Sequence, residues 1–147
     1  MNTLERSQYI EIGLGRERYA IRIETIQEII RMQPITEIPG TGADIRGVIN
    51  LRGKIVPVVC LRDMFGGGSG KANDRSHQRI VVVGSGQEQV GFIVDRVHHV
   101  ASYSRIQPAP DWGGQAGEAA TIRGVGHSEE HVVSIMELET IVQRGGV

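Results

Sequence analysis

Few side chains in this sequence have the type and spacing that catalysis requires. Cys60 is the only cysteine and lies in an apolar run at residues 58–61, where free cysteines are usually buried and unreactive. His98 and His99 are adjacent, and adjacent positions of a helix do not face each other. No second cluster of His, Cys or Asp in the sequence has the spacing of metal ligands. We therefore predict no catalytic residue, no metal site and no cofactor.

Two further motifs could suggest chemistry but favour plainer interpretations. His127 and His131 flank a predicted turn, where exposure to solvent is expected. The glycines of residues 66–70 do not connect a strand to a helix, and they lack the Gly-Lys-Ser/Thr ending of a phosphate-binding loop. We predict instead that residues 66–78 form a flexible connector.

The clearest candidate for binding is Arg52. Two apolar runs, at residues 48–49 and 55–61, flank the polar segment 50–54, a pattern typical of a β-hairpin. Gly53 allows the chain to reverse direction there, which places Arg52 at the tip and facing solvent. A guanidinium on a rigid tip suits the binding of a partner better than the breaking of bonds.

Composition excludes several functional classes. The chain has 147 residues and a formal net charge of -1, without the basic excess typical of proteins that bind nucleic acids or membrane surfaces. Its first eight residues are polar, which argues against a secretory signal. No apolar run approaches the roughly 18–20 residues of a membrane span. We expect a cytoplasmic protein without direct membrane insertion.

Hydrophobic periodicity predicts many short strands. Apolar residues alternate with polar ones at residues 10–14 and 19–23, and the apolar runs at 80–83 and 90–94 predict two more strands. A short closing helix is expected near the end of the chain, after a last hairpin.

Two segments between these strands have helical spacing instead. Ile26 and Ile29 continue an apolar spacing typical of a helix over residues 24–32, with Gln27 and Glu28 on its exposed side. A second helical or turn-like segment is expected to carry Val97 and Val100.

The two halves of the chain resemble each other. A shift of 71 positions places residues 23–29 on residues 94–100 with the same apolar and acidic pattern, and after a six-residue insertion 46–48 falls on 123–125. We infer an ancient duplication. Halves of roughly 60 residues are marginal alone, so we expect them to pack together as small closed barrels.

Several of these motifs together resemble the CheW family of chemotaxis coupling proteins. The first half matches in IQEII at residues 26–30, GVINLRG at 47–53 and VPVV at 56–59, and the second half in VGFIVD at 90–95 and IQPAP at 106–110. The similarity covers about residues 7–143. The same domain occurs in CheA-type kinases and CheV proteins, but this chain resembles the standalone adaptor. Cys60 stands where the family commonly has Asp.

The resemblance implies a mainly β fold of two packed, five-stranded SH3-like β-barrels with short helices. Residues 1–147 would form a single CheW-like domain, with one subdomain at about 7–65 and the other at about 79–143. It further implies a non-catalytic adaptor that couples the cytoplasmic tip of methyl-accepting chemoreceptors to the regulatory domain of a CheA-type histidine kinase. Such a protein would be cytoplasmic and associated with membrane-bound receptor arrays.

The family's contact residues carry over to positions that match its motifs. The resemblance implies a receptor-binding set of Ile26, Arg52, Ile80, Val97 and Val100. It implies a kinase-binding set of Glu28, Ile29 and Gly47. The alternative is a small-barrel module that binds nucleic acid or a peptide, but the near-zero charge and the lack of an aromatic strip argue against nucleic acid.

Overall fold

The computed structural model describes residues 7–40, 45–64, 75–85, 87–108, 122–129 and 131–143. These residues form eleven strands: β1 (Tyr9–Leu14), β2 (Glu17–Arg22), β3 (Ile26–Arg31), β4 (Ile45–Leu51), β5 (Lys54–Cys60), β6 (Arg79–Ser85), β7 (Glu88–Val94), β8 (Arg96–Ala101), β9 (Arg105–Pro108), β10 (Ile122–His127) and β11 (Val132–Met136). Two short α-helices, α1 (Leu61–Met64) and α2 (Glu139–Gln143), and the 3-10 turns Ile23–Thr25 and Arg75–His77 complete them. Most of the predicted connector 66–78 lies outside the described residues.

The strands form two sheets, which confirms the predicted mainly β, two-barrel fold. We call the five-stranded sheet, in the order β3-β6-β7-β5-β4, barrel one, and the six-stranded sheet, in the order β8-β1-β2-β11-β10-β9, barrel two. Barrel two exceeds the predicted five strands by β9. Its counterpart in barrel one is the single bridge between Thr36 and Val48.

The division of the chain at residues 65 and 79 does not describe the sheets. The hairpin β1–β2 lies in barrel two, and the hairpin β6–β7 lies in barrel one, so the two halves exchange their first hairpins. Strand periodicity predicts which face of a hairpin is buried. It does not specify which distant strand pairs with its edge, and the predicted boundaries were therefore wrong for the sheets.

Strand registers support the predicted duplication. In barrel one, Ile26 of β3 lies opposite Val83 of β6. In barrel two, the shifted positions Val97 of β8 and Ile12 of β1 lie opposite each other in the same way. The parallel pairings of β5 with β7 and of β11 with β2 also correspond. The two barrels therefore repeat the same pattern of strand pairing.

The predicted helix over residues 24–32 is wrong. A single 3-10 turn precedes strand β3, which pairs with β6, and a bulge lies between Ile26 and Glu28. A bulge adds one residue and interrupts the two-residue period, so the apolar spacing imitates a helix. The segment of Val97 and Val100 is likewise strand β8, with a bulge between those two residues. The predicted closing helix is present as α2.

Three hydrophobic clusters fill the molecule. Barrel one and barrel two each enclose a small cluster. The largest, which we call the central core, contains residues from both sheets: Ile10, Ile12, Leu14, Ile21, Val59, Leu61, Val81, Val83, Val90, Phe92, Val94, Met136, Leu138, Ile141 and Val142. The shared apolar face expected between the two halves is this central core.

Ile80 tests the packing of barrel one. Its side chain is fully buried in the barrel-one cluster, so Ile80→Ala should lower the free energy of unfolding by about 2–5 kcal/mol. Ile55 on β5 is 60% exposed, and Ile55→Ala should cost less than about 0.5 kcal/mol. Urea unfolding followed by circular dichroism measures both. Equal effects of the two substitutions would contradict a core role for Ile80.

Candidate interaction site

The hairpin β4–β5 holds Arg52 at an exposed tip, as predicted. Arg52 and Gly53 both have positive φ angles, 53° and 86°, which is the backbone of a tight hairpin turn. The Asn50 side-chain oxygen accepts a hydrogen bond of 2.7 Å from the Gly53 amide. Positive φ is uncommon for a residue other than glycine, so this turn fixes Arg52 in a restricted geometry.

Arg52 forms a two-pronged ion pair with Glu28 on β3, the strand at the other end of the barrel-one strand order. Its Nη1 donates to Glu28 Oε1 at 3.1 Å, and its Nη2 donates to Glu28 Oε2. The hydrogen bonds from Arg52 lower the pKa of the Glu28 carboxyl. Paired donors of this kind orient a guanidinium as well as attract it. The structure thus brings together one residue of the expected receptor set and one of the kinase set.

Ile26 and Ile29 lie on β3, at one edge of barrel one. Ile26 pairs with Val83 and Ile29 with Val81, and both partners belong to the central core. Residues opposite each other in neighbouring strands share a face of the sheet. Ile26 is partly buried against the central core, whereas Ile29 is 36% exposed at its margin.

Val97 and Val100 occupy the equivalent places on β8, the edge of barrel two. They pair with Ile12 and Ile10, which are also members of the central core. Val97 packs partly against that core, and Val100 is 49% exposed. Each barrel therefore contributes one edge strand whose apolar side chains border the central core.

Two of the expected contact residues, Ile80 and Gly47, are buried in the structure. Ile80 is fully buried between β3 and β7, so its side chain does not reach a surface that a receptor could touch. Gly47 is also buried, with φ 146°, and an added Cβ would collide with the Thr36 carbonyl. The close approach of that backbone explains why a glycine is needed at this position.

Barrel two contains a buried polar cluster that no pattern in the sequence indicated. The Glu11 side chain is 1% exposed and accepts a 2.6 Å hydrogen bond from the Tyr103 hydroxyl. His131 Nε2 lies 3.1 Å from Glu11 Oε2, and Arg18 Nη1 lies 3.3 Å from Glu11 Oε1. His131 is therefore a partner of a buried carboxylate, not simply a solvated turn residue. Alternation in β1 placed Glu11 on a polar face, and its distant partners could not be read from spacing.

Metal-binding groups and membrane-spanning helices were both sought among the described residues. Within the described ranges, no group of three or more His, Cys, Asp or Glu side chains is placed to hold a metal ion. Among the helices of the same ranges, none is long and apolar enough to cross a membrane.

A match to a protein-family model shows which family the chain belongs to. Residues 8–145 match the model of the CheW-like domain. The chain belongs to the CheW family. This chain is 34% identical over 139 residues to the chemotaxis protein CheW of Klebsiella aerogenes. The aligned region covers 92% of this chain and 81% of the relative. It is 31% identical over 139 residues to CheW of Helicobacter pylori, with coverages of 93% and 82%.

A solved structure of the CheW family agrees with the fold. The scaffolding protein TtCheW of Thermoanaerobacter tengcongensis superimposes with a TM-score of 0.79 at 32% identity, over 90% of this chain and 84% of that one. The names of these CheW relatives describe a chemotaxis protein and a scaffolding protein, not an enzyme. They agree with the prediction of a chemotaxis scaffold without catalytic activity.

Cys60 should be inert in this CheW-family protein. It lies at the end of β5, is 5% exposed, and burial raises the pKa of its thiol. Because the thiolate is the reactive form, iodoacetamide should modify the native protein far more slowly than the protein unfolded in urea. Mass spectrometry of timed samples measures the two rates. Similar rates would show that the thiol is accessible and would reopen the question of catalysis.

Glu11 should make stability depend on pH. Burial alone raises the pKa of Glu11, but the hydrogen bonds from Tyr103 and His131 outweigh burial and hold the pKa below its usual value. A carboxyl with a lowered folded-state pKa stabilises the fold above its unfolded-state pKa, and this contribution disappears as pH falls through the folded-state pKa. Glu11→Gln should therefore cost about 1–3 kcal/mol at pH 7 and much less at pH 3.

Urea unfolding at pH 7, 5, 4 and 3 measures this difference. Glu17→Gln is the matched control, because Glu17 is an exposed residue on the neighbouring strand β2. A constant difference between wild type and Glu11→Gln across the pH range would contradict the stabilising role of the ionised carboxylate.

Proposed function

We propose that this CheW-family protein is an adaptor that couples the cytoplasmic tip of methyl-accepting chemoreceptors to the regulatory domain of a CheA-type histidine kinase. The observation that carries this proposal is the ion pair between Arg52 and Glu28. Arg52 belongs to the expected receptor set, and Glu28 belongs to the expected kinase set. Because Arg52 and Glu28 contact each other, receptor binding and kinase binding would both act on the same ion pair.

The remaining contact residues fit the same arrangement. Ile26, Val97 and Val100 border the central core on the two edge strands and offer an apolar surface to a receptor. Ile29 is exposed beside Glu28 and offers an apolar contact to the kinase. The protein would work in the cytoplasm, where receptor arrays hold it next to the membrane.

The ion pair suggests how the two partners could influence each other. A receptor carboxylate that approaches Arg52 competes with Glu28 for the guanidinium and changes the orientation of Glu28. A kinase group that binds Glu28 weakens the hold on Arg52 in the same way. Because coupling between binding equilibria is reciprocal, each partner would change the affinity for the other by an equal factor. No bond is made or broken in this mechanism.

Reversal of the Arg52 charge tests the receptor contact. Arg52→Glu should weaken binding of a receptor cytoplasmic fragment by about tenfold or more, because an arginine at the centre of an interface is often a hot spot. Isothermal titration calorimetry measures the affinity, and far-UV circular dichroism reports on the fold. Lys54→Glu is the matched control, since it makes the same charge change in the same hairpin.

The charge-swapped double variant Glu28→Arg with Arg52→Glu separates contact from structure. It restores an ion pair inside the adaptor but leaves the hairpin tip acidic. If Arg52 touches the receptor, the double variant should bind as weakly as Arg52→Glu. Full recovery of binding would show that the ion pair only positions the hairpin. Equal losses in Arg52→Glu and Lys54→Glu would show a general electrostatic effect instead.

A further inference from the structure

A single residue connects the barrel-one strand β7 to the barrel-two strand β8. Strand β7 ends at Val94 and β8 begins at Arg96, so Asp95 alone spans the step between the two sheets. Each residue supplies only two soft backbone dihedrals. The direction in which β8 leaves barrel one therefore depends on how this one residue is held.

The backbone and the side chain of Asp95 both bind the hairpin β1–β2. The Asp95 amide donates to the Gly13 carbonyl oxygen at 3.0 Å, and Asp95 Oδ2 accepts a 2.6 Å hydrogen bond from the Gly15 amide. The pairing of β1 with β8 ends where Gly13 lies opposite Arg96. These two bonds thus extend the contact between β8 and the hairpin past the last strand pair and fix the start of β8 on barrel two.

The same carboxylate also faces barrel one. Arg62 of α1 directly follows Leu61, a fully buried member of the central core. Arg62 Nη1 lies 3.7 Å from Asp95 Oδ2, and the two side chains are only 14% and 17% exposed. Partial burial reduces the screening of this attraction by water and salt. Asp95 Oδ2 therefore contacts a group of each barrel.

The duplication provides an internal comparison for Asp95. The shift of 71 positions places Glu24 at the corresponding point, the step from β2 to β3. The Glu24 carboxylate lies 3.0 Å from Arg22 Nη2 and accepts a 3.3 Å hydrogen bond from the Ser7 hydroxyl. Both partners lie in or beside the hairpin β1–β2 that the chain is leaving. Glu24 is thus bonded to one side of its step, whereas Asp95 is bonded to both sides.

Local bonds hold the step at Glu24 instead. The 3-10 turn Ile23–Thr25 precedes β3, and the Ile26 amide donates to the Ile23 carbonyl oxygen. The Thr25 hydroxyl donates to the Arg22 carbonyl oxygen at 2.9 Å. The fold can therefore make such a step without a carboxylate that reaches both barrels. The presence of this carboxylate before β8 points to a role at that strand.

Strand β8 has few other restraints. Among the described strands it pairs only with β1, and a bulge lies between Val97 and Val100. A bulge leaves a residue unpaired and disrupts the ladder locally. The first of these valines is two residues beyond Asp95. The expected receptor contacts on β8 are therefore held by one interrupted ladder and by the carboxylate at the start of the strand.

We propose that Asp95 is a positioning residue for the receptor-binding edge β8, which it fastens to both barrels without touching the receptor itself. This role rests on the proposed adaptor function, because Val97 and Val100 belong to the expected receptor-binding set. Without Asp95, β8 would have to be ordered when the receptor binds. The cost of that ordering lowers the affinity for the receptor.

Hydrogen exchange of the free protein tests the restraint on β8. Asp95→Ala removes both contacts of the carboxylate and should speed exchange of the slowest β8 amides by about tenfold or more, because hydrogen bonds to charged groups are among the stronger ones. The β3 amides should keep their rates. NMR of the isotope-labelled full chain follows both edges in one sample, and a general loss of stability would speed both alike.

Glu24→Ala is the matched control, because it removes the carboxylate from the corresponding step. Its ion pair with Arg22 involves a carboxylate side chain that is 59% exposed. Exposed pairs of this kind contribute little to stability, so exchange in β3 should rise by about threefold or less. The β8 amides should keep their rates.

Asp95→Asn separates the two contacts and keeps the test available if the alanine variant does not fold. The asparagine oxygen can still accept from the Gly15 amide, but the side chain has no charge for Arg62. The exchange rates of β8 should therefore lie between those of wild type and Asp95→Ala. Arg62→Gln should act as Asp95→Asn does, and the double variant should add nothing further. Additive effects of the two substitutions would overturn the link to barrel one.

Isothermal titration calorimetry with a receptor cytoplasmic fragment tests the consequence for binding. Asp95→Ala should lower the affinity by about threefold or more, whereas Glu24→Ala should not. Equal acceleration of β3 and β8, or an unchanged affinity in Asp95→Ala, would overturn the positioning role. Failure of the adaptor function has a different signature, because the wild-type protein itself would then not bind the fragment. The exchange experiment contains no receptor and would still decide whether Asp95 holds β8.

Discussion

Exchange of the first hairpins between the two halves is the constraint on which the rest of the structure depends. The hairpin β1–β2 completes barrel two, and the hairpin β6–β7 completes barrel one. Each exchanged hairpin has one face in a barrel cluster and the other in the central core, as Ile80 and Val81 of β6 illustrate. Separation of the two halves of the chain would expose the central core and leave each barrel without its middle strands. The edge strands β3 and β8, which border this core, are consequently held in fixed positions relative to each other.

The exchange also places the edge strands that carry the interaction residues. Among the described strands, β3 pairs only with β6 and β8 only with β1, so each edge depends on the other half's hairpin. A bulge at the same place in both edges turns Glu28 toward the barrel-one hairpin and His99 toward the Glu11 cluster. The duplicated backbone is therefore a common frame, and the charges attached to it differ between the barrels. Barrel one carries the ion pair of Arg52 and Glu28. Barrel two carries the buried Glu11 carboxylate with its histidine neighbours.

Local patterns in the sequence predicted the hairpins, the duplication and the exposed Arg52. They misjudged β3 and β8, because a bulge after Ile26 and after Val97 converts strand periodicity into apparent helical spacing. They also missed contacts between distant residues, such as the ion pair of Glu28 and Arg52. The burial of Ile80 and Gly47 was also not visible in the sequence, because a match to a family motif does not show whether a side chain is exposed. Family membership supplied the architecture that the periodicity could not.

The hairpin exchange has a consequence for synthesis of the protein on the ribosome. Strand β2 pairs in parallel with β11, which lies at residues Val132–Met136, near the end of the chain. The N-terminal hairpin must therefore wait for nearly the whole polypeptide to emerge before its second neighbour exists. Barrel one needs only the strands up to β7 and can be assembled earlier. Pairing between such distant segments is slow and leaves strand edges open in the meantime. Strands β1 and β2 are thus completed only after β11 has been made, and they are exposed to mispairing until then.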